Sequence, residues 1–180
     1  MRAFVALDLP DALTEACLRL QEAVPLGRPT PMDNLHLTLA FLGDVDPAVL
    51  EEIDRELQGR RLPRCPLRPA GLSCMGGRGP RLLALEMAAE PALRALQAEV
   101  VKAVRAAGVT LPRTRFRPHV TLLRFGNGLP PHRLPALDRA LRELGQPEVP
   151  DTEALQAALY VSTLSPEGAV HEALAVYPLA

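Results

Sequence analysis

The feature that most constrains this chain is that it reads twice. His36-Leu-Thr-Leu-Ala-Phe-Leu-Gly43 and His119-Val-Thr-Leu-Leu-Arg-Phe-Gly126 align without a gap at an offset of 83 residues. The flanks repeat in the same order. Short apolar runs at Phe4 to Leu7 and Leu82 to Glu86 read as strands. A proline-started helical pattern follows each, with Leu13, Ala16, Leu20 and Val24 on one face of the first and Leu93, Leu96, Val100 and Val104 on one face of the second. After each motif glycine comes a turn and a further helix, Pro47 to Leu57 and Arg133 to Leu144. Leu67 to Leu72 is expected to close the first half. Gln156 to Leu164 and Ala169 to Tyr177, joined by the turn at 165–168, are expected to close the second as a hairpin. The pattern predicts an α+β fold built by pseudo-twofold duplication within one domain over 1–180, with halves of about 1–80 and 81–180. An unduplicated α+β domain is the alternative.

On a strand, residues i and i+2 share a face and lie roughly 7 Å apart. His36, Thr38 and Ala40 are therefore expected on one face, with Leu37, Leu39 and Phe41 on the other. His119, Thr121 and Leu123 follow the same rule, with Arg124 opposite unless a bulge redirects it. Each motif offers an imidazole beside a hydroxyl on an apolar-backed strand. A single His on a strand is usually structural. Two copies related by a twofold axis would face each other across one cleft, the arrangement that in-line displacement at phosphorus requires: a base on the entering oxygen and an acid on the departing one. Hydroxyls between them can hydrogen-bond the non-bridging oxygens as charge builds.

Composition narrows the field. A net charge of −1 argues against a protein that coats nucleic acid, but not against one that grips a single end. Aromatic residues are 3% with no Trp, so the core is expected to be Leu, Val and Ala. Cys17, Cys65 and Cys74 lack the spacing of a zinc ribbon or disulfide framework. With no leader sequence and no apolar run long enough to span a bilayer, the expected location is the cytoplasm, with no membrane and no obligate protein partner. A hydrolytic metal site would want a third ligand, and neither motif strand carries an in-face acid, so neither metal nor other cofactor is expected. Arg113, Arg115, Arg117 and Arg124 lie close around His119 with no acidic residue between them and would form a local positive wall; a solvated loop explains the first two equally well. Gly76 to Gly79 lacks phosphate-loop spacing and reads as a strand connection, and His132 reads as exposed in a Pro-rich turn.

The paired motifs, the Phe-Arg-Pro-His-Val-Thr-Leu-Leu-Arg segment and the opening Met-Arg-Ala-Phe-Val-Ala-Leu-Asp-Leu-Pro resemble the two-histidine (2H) phosphoesterases, in particular the bacterial and archaeal RNA 2′,3′-cyclic phosphodiesterase branch historically called 2′-5′ RNA ligase. The resemblance covers nearly the whole chain. It implies a bilobal structure with two antiparallel sheets lining a central groove and helices outside. It also implies metal-independent opening of RNA 2′,3′-cyclic phosphate ends to 2′-phosphate, with reversible 2′-5′ ligation as a side activity. His119 would activate the water and His36 protonate the leaving 3′ oxygen, while Thr38, Thr121 and Arg124 bind the phosphate. Phe41 aligns with an aromatic that packs near a base, although alternation assigns it to the core. Arg117 is a further candidate RNA contact. Where relatives often carry an aromatic near the C-terminus this chain has Val170-His171; His171 could stack on a base, but a surface strand position is the simpler expectation. The loop at 75–81 lacks the aromatic of many relatives. The partners implied are RNA 3′ ends or cyclic nucleotides. The alternatives are an enzyme acting on small cyclic nucleotides such as ADP-ribose cyclic phosphate, and a non-catalytic RNA-end-binding module.

Overall fold

The structure, a computed structural model, describes residues 1–166 and 168–180. Strand β1 (Arg2–Asp8) leads into α1 (Asp11–Ala23), a two-residue β2 (Arg28–Pro29) and β3 (His36–Asp44). Helix α2 (Pro47–Gln58) is followed by β4 (Cys65–Leu67) and β5 (Pro69–Met75). The order then repeats with β6 (Leu82–Met87), α3 (Pro91–Ala106), β7 (His119–Arg124), α4 (Leu134–Leu144), β8 (Thr152–Ala154), β9 (Gln156–Ser165) and β10 (Gly168–Pro178). Helices α2, α3 and α4 each carry proline in their first turn, where the missing N–H costs nothing. The expected apolar faces are the buried ones, Leu13, Ala16 and Leu20 on α1 and Leu93, Leu96, Val100 and Val104 on α3. No helix among the described residues is long and apolar enough to cross a membrane.

Two antiparallel half-sheets, β10-β9-β1-β3 and β2-β7-β6-β5, meet along β3 and β7. Their ladder there is a single residue pair, Leu37 and Val120. Those two residues are themselves related by the repeat offset, so the pseudo-twofold axis runs through this pair. From it β3 and β7 diverge, leaving a groove between them. Behind the sheet the core is Leu, Val and Ala, and β1 buries all of Ala3 to Leu7.

The expected closing strands go elsewhere. The segment read as one strand from Leu67 to Leu72 breaks at Arg68: β4 pairs with β8, and β5 pairs with β6 of the other half. The C-terminal hairpin does form, but β9 lies against β1 of the first half. Its turn at 165–168 includes Glu167, which lies outside the described residues. The helices cross over as well, α1 packing on β7 and α3 on β3. Each half thus completes the sheet of the other, because β1 and β6 are central strands whose outer edges need a partner.

Candidate active site

Both motif strands depart from simple alternation at the same place. Val5 opposes Ala40 but Ala6 opposes Thr38, so Leu39 is an extra residue in β3. Leu83 opposes Leu123 but Ala84 opposes Thr121, so Leu122 is extra in β7. These bulges sit 83 residues apart, as the motifs do. Each one reverses the strand's facing beyond it. Phe41 therefore joins His36 and Thr38 on the groove face, opposite Phe4, while Ala40 turns to the core opposite Val5. In β7, Arg124 joins His119 and Thr121 while Leu123 turns inward. The core position expected for Phe41 is thus corrected by the bulge: the residue is 50% exposed. Beyond each bulge, Gly43 (φ 72°), among the last paired residues of β3, and Gly126 (φ 60°), just past the end of β7, take left-handed backbone, which explains the glycine ending each motif.

The groove, about 1410 Å³ in volume, is lined by His36, Thr38 and Phe41 from β3 and by His119, Thr121 and Arg124 from β7. The imidazoles are held alike. His36 Nδ1 lies 2.8 Å from the carbonyl of Asn34, and His119 Nδ1 lies 2.8 Å from the carbonyl of Arg117. A carbonyl only accepts, so both Nδ1 atoms carry the proton and donate it. Nε2 is the ring nitrogen not engaged by a backbone carbonyl in either residue. The Thr38 hydroxyl, 3.1 Å from His36 Nε2, donates to it when the ring is neutral.

The surroundings of the two rings differ. His36 is stacked on Phe4 at 4.7 Å between centroids and meets the edge of His171 at 5.3 Å. Phe4 also stacks on Tyr160 at 5.2 Å. Burial lowers the His36 pKa to about 4 against a hydrogen bond to Asn34 that raises it; His171, Arg124 and His119 lower it further by charge. His171 is also lowered, by burial and then by Arg124. His171, expected on the surface, therefore belongs to the groove. With so few aromatics in the chain, three of its four Phe, Phe4, Phe41 and Phe116, line this one groove. The β3 side is aromatic. The β7 side is cationic, with Arg113, Arg115, Arg117 and Arg124 all lining it. The repeat diverges most visibly at one pair: Phe41 and Arg124 are equivalent positions.

Several contributors were not found from sequence. Asp8 opposes His36 across the strands and Glu86 opposes His119, so each histidine has an acidic cross-strand neighbour on its own face. Both acids are engaged elsewhere. Asp8 accepts from Tyr160 and Gln156, and Glu86 accepts from Arg117 at 2.6 Å. Period-two alternation of β1 and β6 would have placed Asp8 and Glu86 on one face with Phe4 and Leu82, but not which strands they flank. Among the described residues no group of three His, Cys, Asp or Glu is placed to hold a metal ion. All three cysteines are free, and burial pushes the thiols of Cys17 and Cys65 up to about 11, far from nucleophilic use.

The groove thus brings together two histidines, two threonine hydroxyls and an arginine from β3 and β7. Comparison with known proteins gives the family. The family model of the 2′-5′ RNA ligase superfamily matches residues 9–162. The RNA 2′,3′-cyclic phosphodiesterase of Aeropyrum pernix is 31% identical over 144 residues, 79% of this chain and 80% of the relative. That of Aquifex aeolicus is 28% identical over 179 residues, 95% of this chain and 93% of the relative. Escherichia coli LigT, solved in complex with 3′-AMP, superposes with a TM-score of 0.77 at 25% identity, covering 99% of this chain and 96% of LigT. The chain belongs to the 2′-5′ RNA ligase superfamily, as a 2H phosphoesterase, and is a hydrolase.

Proposed function

We propose that the protein opens the 2′,3′-cyclic phosphate at an RNA 3′ end to a 2′-phosphate, using His36 and His119 and no metal, with reversible 2′-5′ ligation when an RNA 5′-hydroxyl attacks phosphorus in place of water. The observation that carries this reading is the matched pair of Nε2 atoms, each freed by an Nδ1–H donated to a backbone carbonyl two residues back, on the two strands that form the groove. His119 Nε2 takes a proton from the attacking water, whose oxygen bonds to phosphorus. The bond from phosphorus to the 3′ oxygen breaks, and protonated His36 Nε2 gives that oxygen its proton. Thr121, Thr38 and Arg124 hold the non-bridging oxygens as negative charge builds. When His36 is protonated it no longer accepts from Thr38, which releases that hydroxyl for the phosphate. His36 is neutral at pH 7 in the empty groove, so its acid role depends on the phosphate anion restoring the proton.

The same groove favours an RNA chain over a small cyclic nucleotide. Among the described residues eight basic side chains line it, including Arg28, Lys102, Arg105 and Arg113, and no acidic one does, although the whole chain carries a net charge of −1. One terminal phosphate does not need this many cations. The aromatic side, with Phe41 exposed and Arg2 lying 5.3 Å over its ring, suits a stacked base. His171 and Arg117, which line the same groove, contact the same chain end.

Turnover of a short RNA ending in 2′,3′-cyclic phosphate, compared with a nucleoside 2′,3′-cyclic phosphate and with ADP-ribose cyclic phosphate, tests the reading. The expected result is a KM at least tenfold lower for the RNA, rising steeply with salt as counterion release requires. A lower KM for either small substrate would move the enzyme to that class. Binding of RNA without turnover would leave only an end-binding module.

A further inference from the structure

Each bulge that turns a side chain into the groove has its carbonyl captured by a glutamine from the other half. Gln21 of α1 donates through Nε2 to the Leu122 carbonyl at 2.9 Å and to the Thr30 carbonyl at 2.9 Å. Gln97 of α3 donates to the Leu39 carbonyl at 3.4 Å. Leu39 and Leu122 are the extra residues of β3 and β7. Gln21 is one of only two buried polar or charged residues among the described residues, the other being Thr30 itself. The Thr30 N–H also donates to Leu122, at 2.9 Å. The two glutamines stand where β3 and β7 splay apart beyond Leu37 and Val120, where neither strand can give the other a ladder partner.

We propose that Gln21 and Gln97 are positioning residues that lock the two bulges, Gln21 aiming Arg124 and Gln97 aiming Phe41 into the groove. A bulge is one of several registers that two strands can adopt, and slipping it by one residue would exchange Arg124 for Leu123 or Phe41 for Ala40 on the groove face. A side-chain amide fixed by a packed helix meets the carbonyl of the extra residue at a single register, as a second donor to Leu122 beside the Thr30 N–H and as a donor to Leu39. Because each donor comes from the opposite half, the two walls of the groove form only when both halves are docked. This inference uses the assignments of Arg124 to phosphate and Phe41 to the base.

Met has nearly the shape of Gln and no donor, so Gln21→Met and Gln97→Met are the informative variants. Crystal structures of both are expected to show the bulge carbonyl reoriented, with the Arg124 guanidinium or the Phe41 ring withdrawn from the groove; unchanged bulges in both would overturn the proposal whatever the groove binds. Calorimetry with inorganic phosphate, together with KM for a nucleoside 2′,3′-cyclic phosphate, reads the consequence. Gln21→Met should weaken phosphate about tenfold, and by less than twofold when Arg124→Ala is already present. Gln97→Met should raise the nucleotide KM several-fold, leave phosphate affinity within twofold, and add nothing to Phe41→Ala. Losses that simply add in the double variants would mean that the glutamines only stabilise the fold, and would overturn the proposal. If Arg124→Ala alone left phosphate binding intact, the assignment of Arg124 would fail instead, and the crystal structures would still decide for or against the clamp.

Discussion

His36 and His119 present the same nitrogen to the groove from different settings. His36 lies on Phe4, beside His171 and under the charge of Arg124. Replacing either histidine with Ala should leave the fold intact, since both side chains face away from the core, and should slow cyclic phosphate hydrolysis about 10² to 10⁴-fold. The roles can be separated with a substrate whose bridging 3′ oxygen is replaced by sulfur, because a thiolate leaves without needing a proton. His36→Ala should then recover most of its lost rate and His119→Ala should not; the opposite pattern would exchange acid and base. The lowered pKa of His36 also has a stability consequence. The unfolded ring takes its proton near pH 6.5 and the folded one only near pH 4, so between these values the unfolded state binds more protons. Stability from this residue is complete above the upper value and is lost as pH falls towards the lower one. Thermal melts across that window should fall less steeply for His36→Gln than for the parent, and identical slopes would contradict the burial of the ring.

At the level of elements, most of what is regular was legible. The four helices and the two motif strands follow from proline starts and apolar spacing, and the repeat of order located them twice. What was not legible came from local breaks in period. A single extra residue at Leu39 reversed Phe41, and one at Leu122 redirected Arg124, the outcome that the sequence left open as a bulge. Alternation carries no mark of such a residue, because Leu occupies bulged and regular positions alike. His171 was misplaced for a related reason: its position depends on β9 and β10 joining β1 rather than closing their own half. Only the flanking glycines left a trace. Gly43→Ala and Gly126→Ala should each cost about 1 to 2 kcal/mol through the strained backbone alone, since no atom lies near either added methyl group. Denaturant melts would check this, and a neutral change at both sites would mean that the strand exits relax without cost.

Across the whole molecule, duplication and strand exchange make the groove a joint product of both halves. β5 serves β6, β9 serves β1, and the site lies between β3 and β7 on the axis that relates them. Fragments 1–80 and 81–180 should therefore each lack a partner for a central strand and fail to fold alone, yet regain activity when mixed; independent folding of either, seen by circular dichroism and cooperative melting, would contradict the exchange. On the proposed function, this joint groove opens a cyclic phosphate in one direction without a metal. Phosphorus NMR of the products from a short RNA ending in 2′,3′-cyclic phosphate, digested in the presence of EDTA, tests it most directly. A fixed acid can protonate only the ester oxygen within its reach, and the water must enter opposite. Essentially one product is expected, the 2′-phosphate, formed at an undiminished rate. Predominant 3′-phosphate, or activity abolished by the chelator, would contradict it.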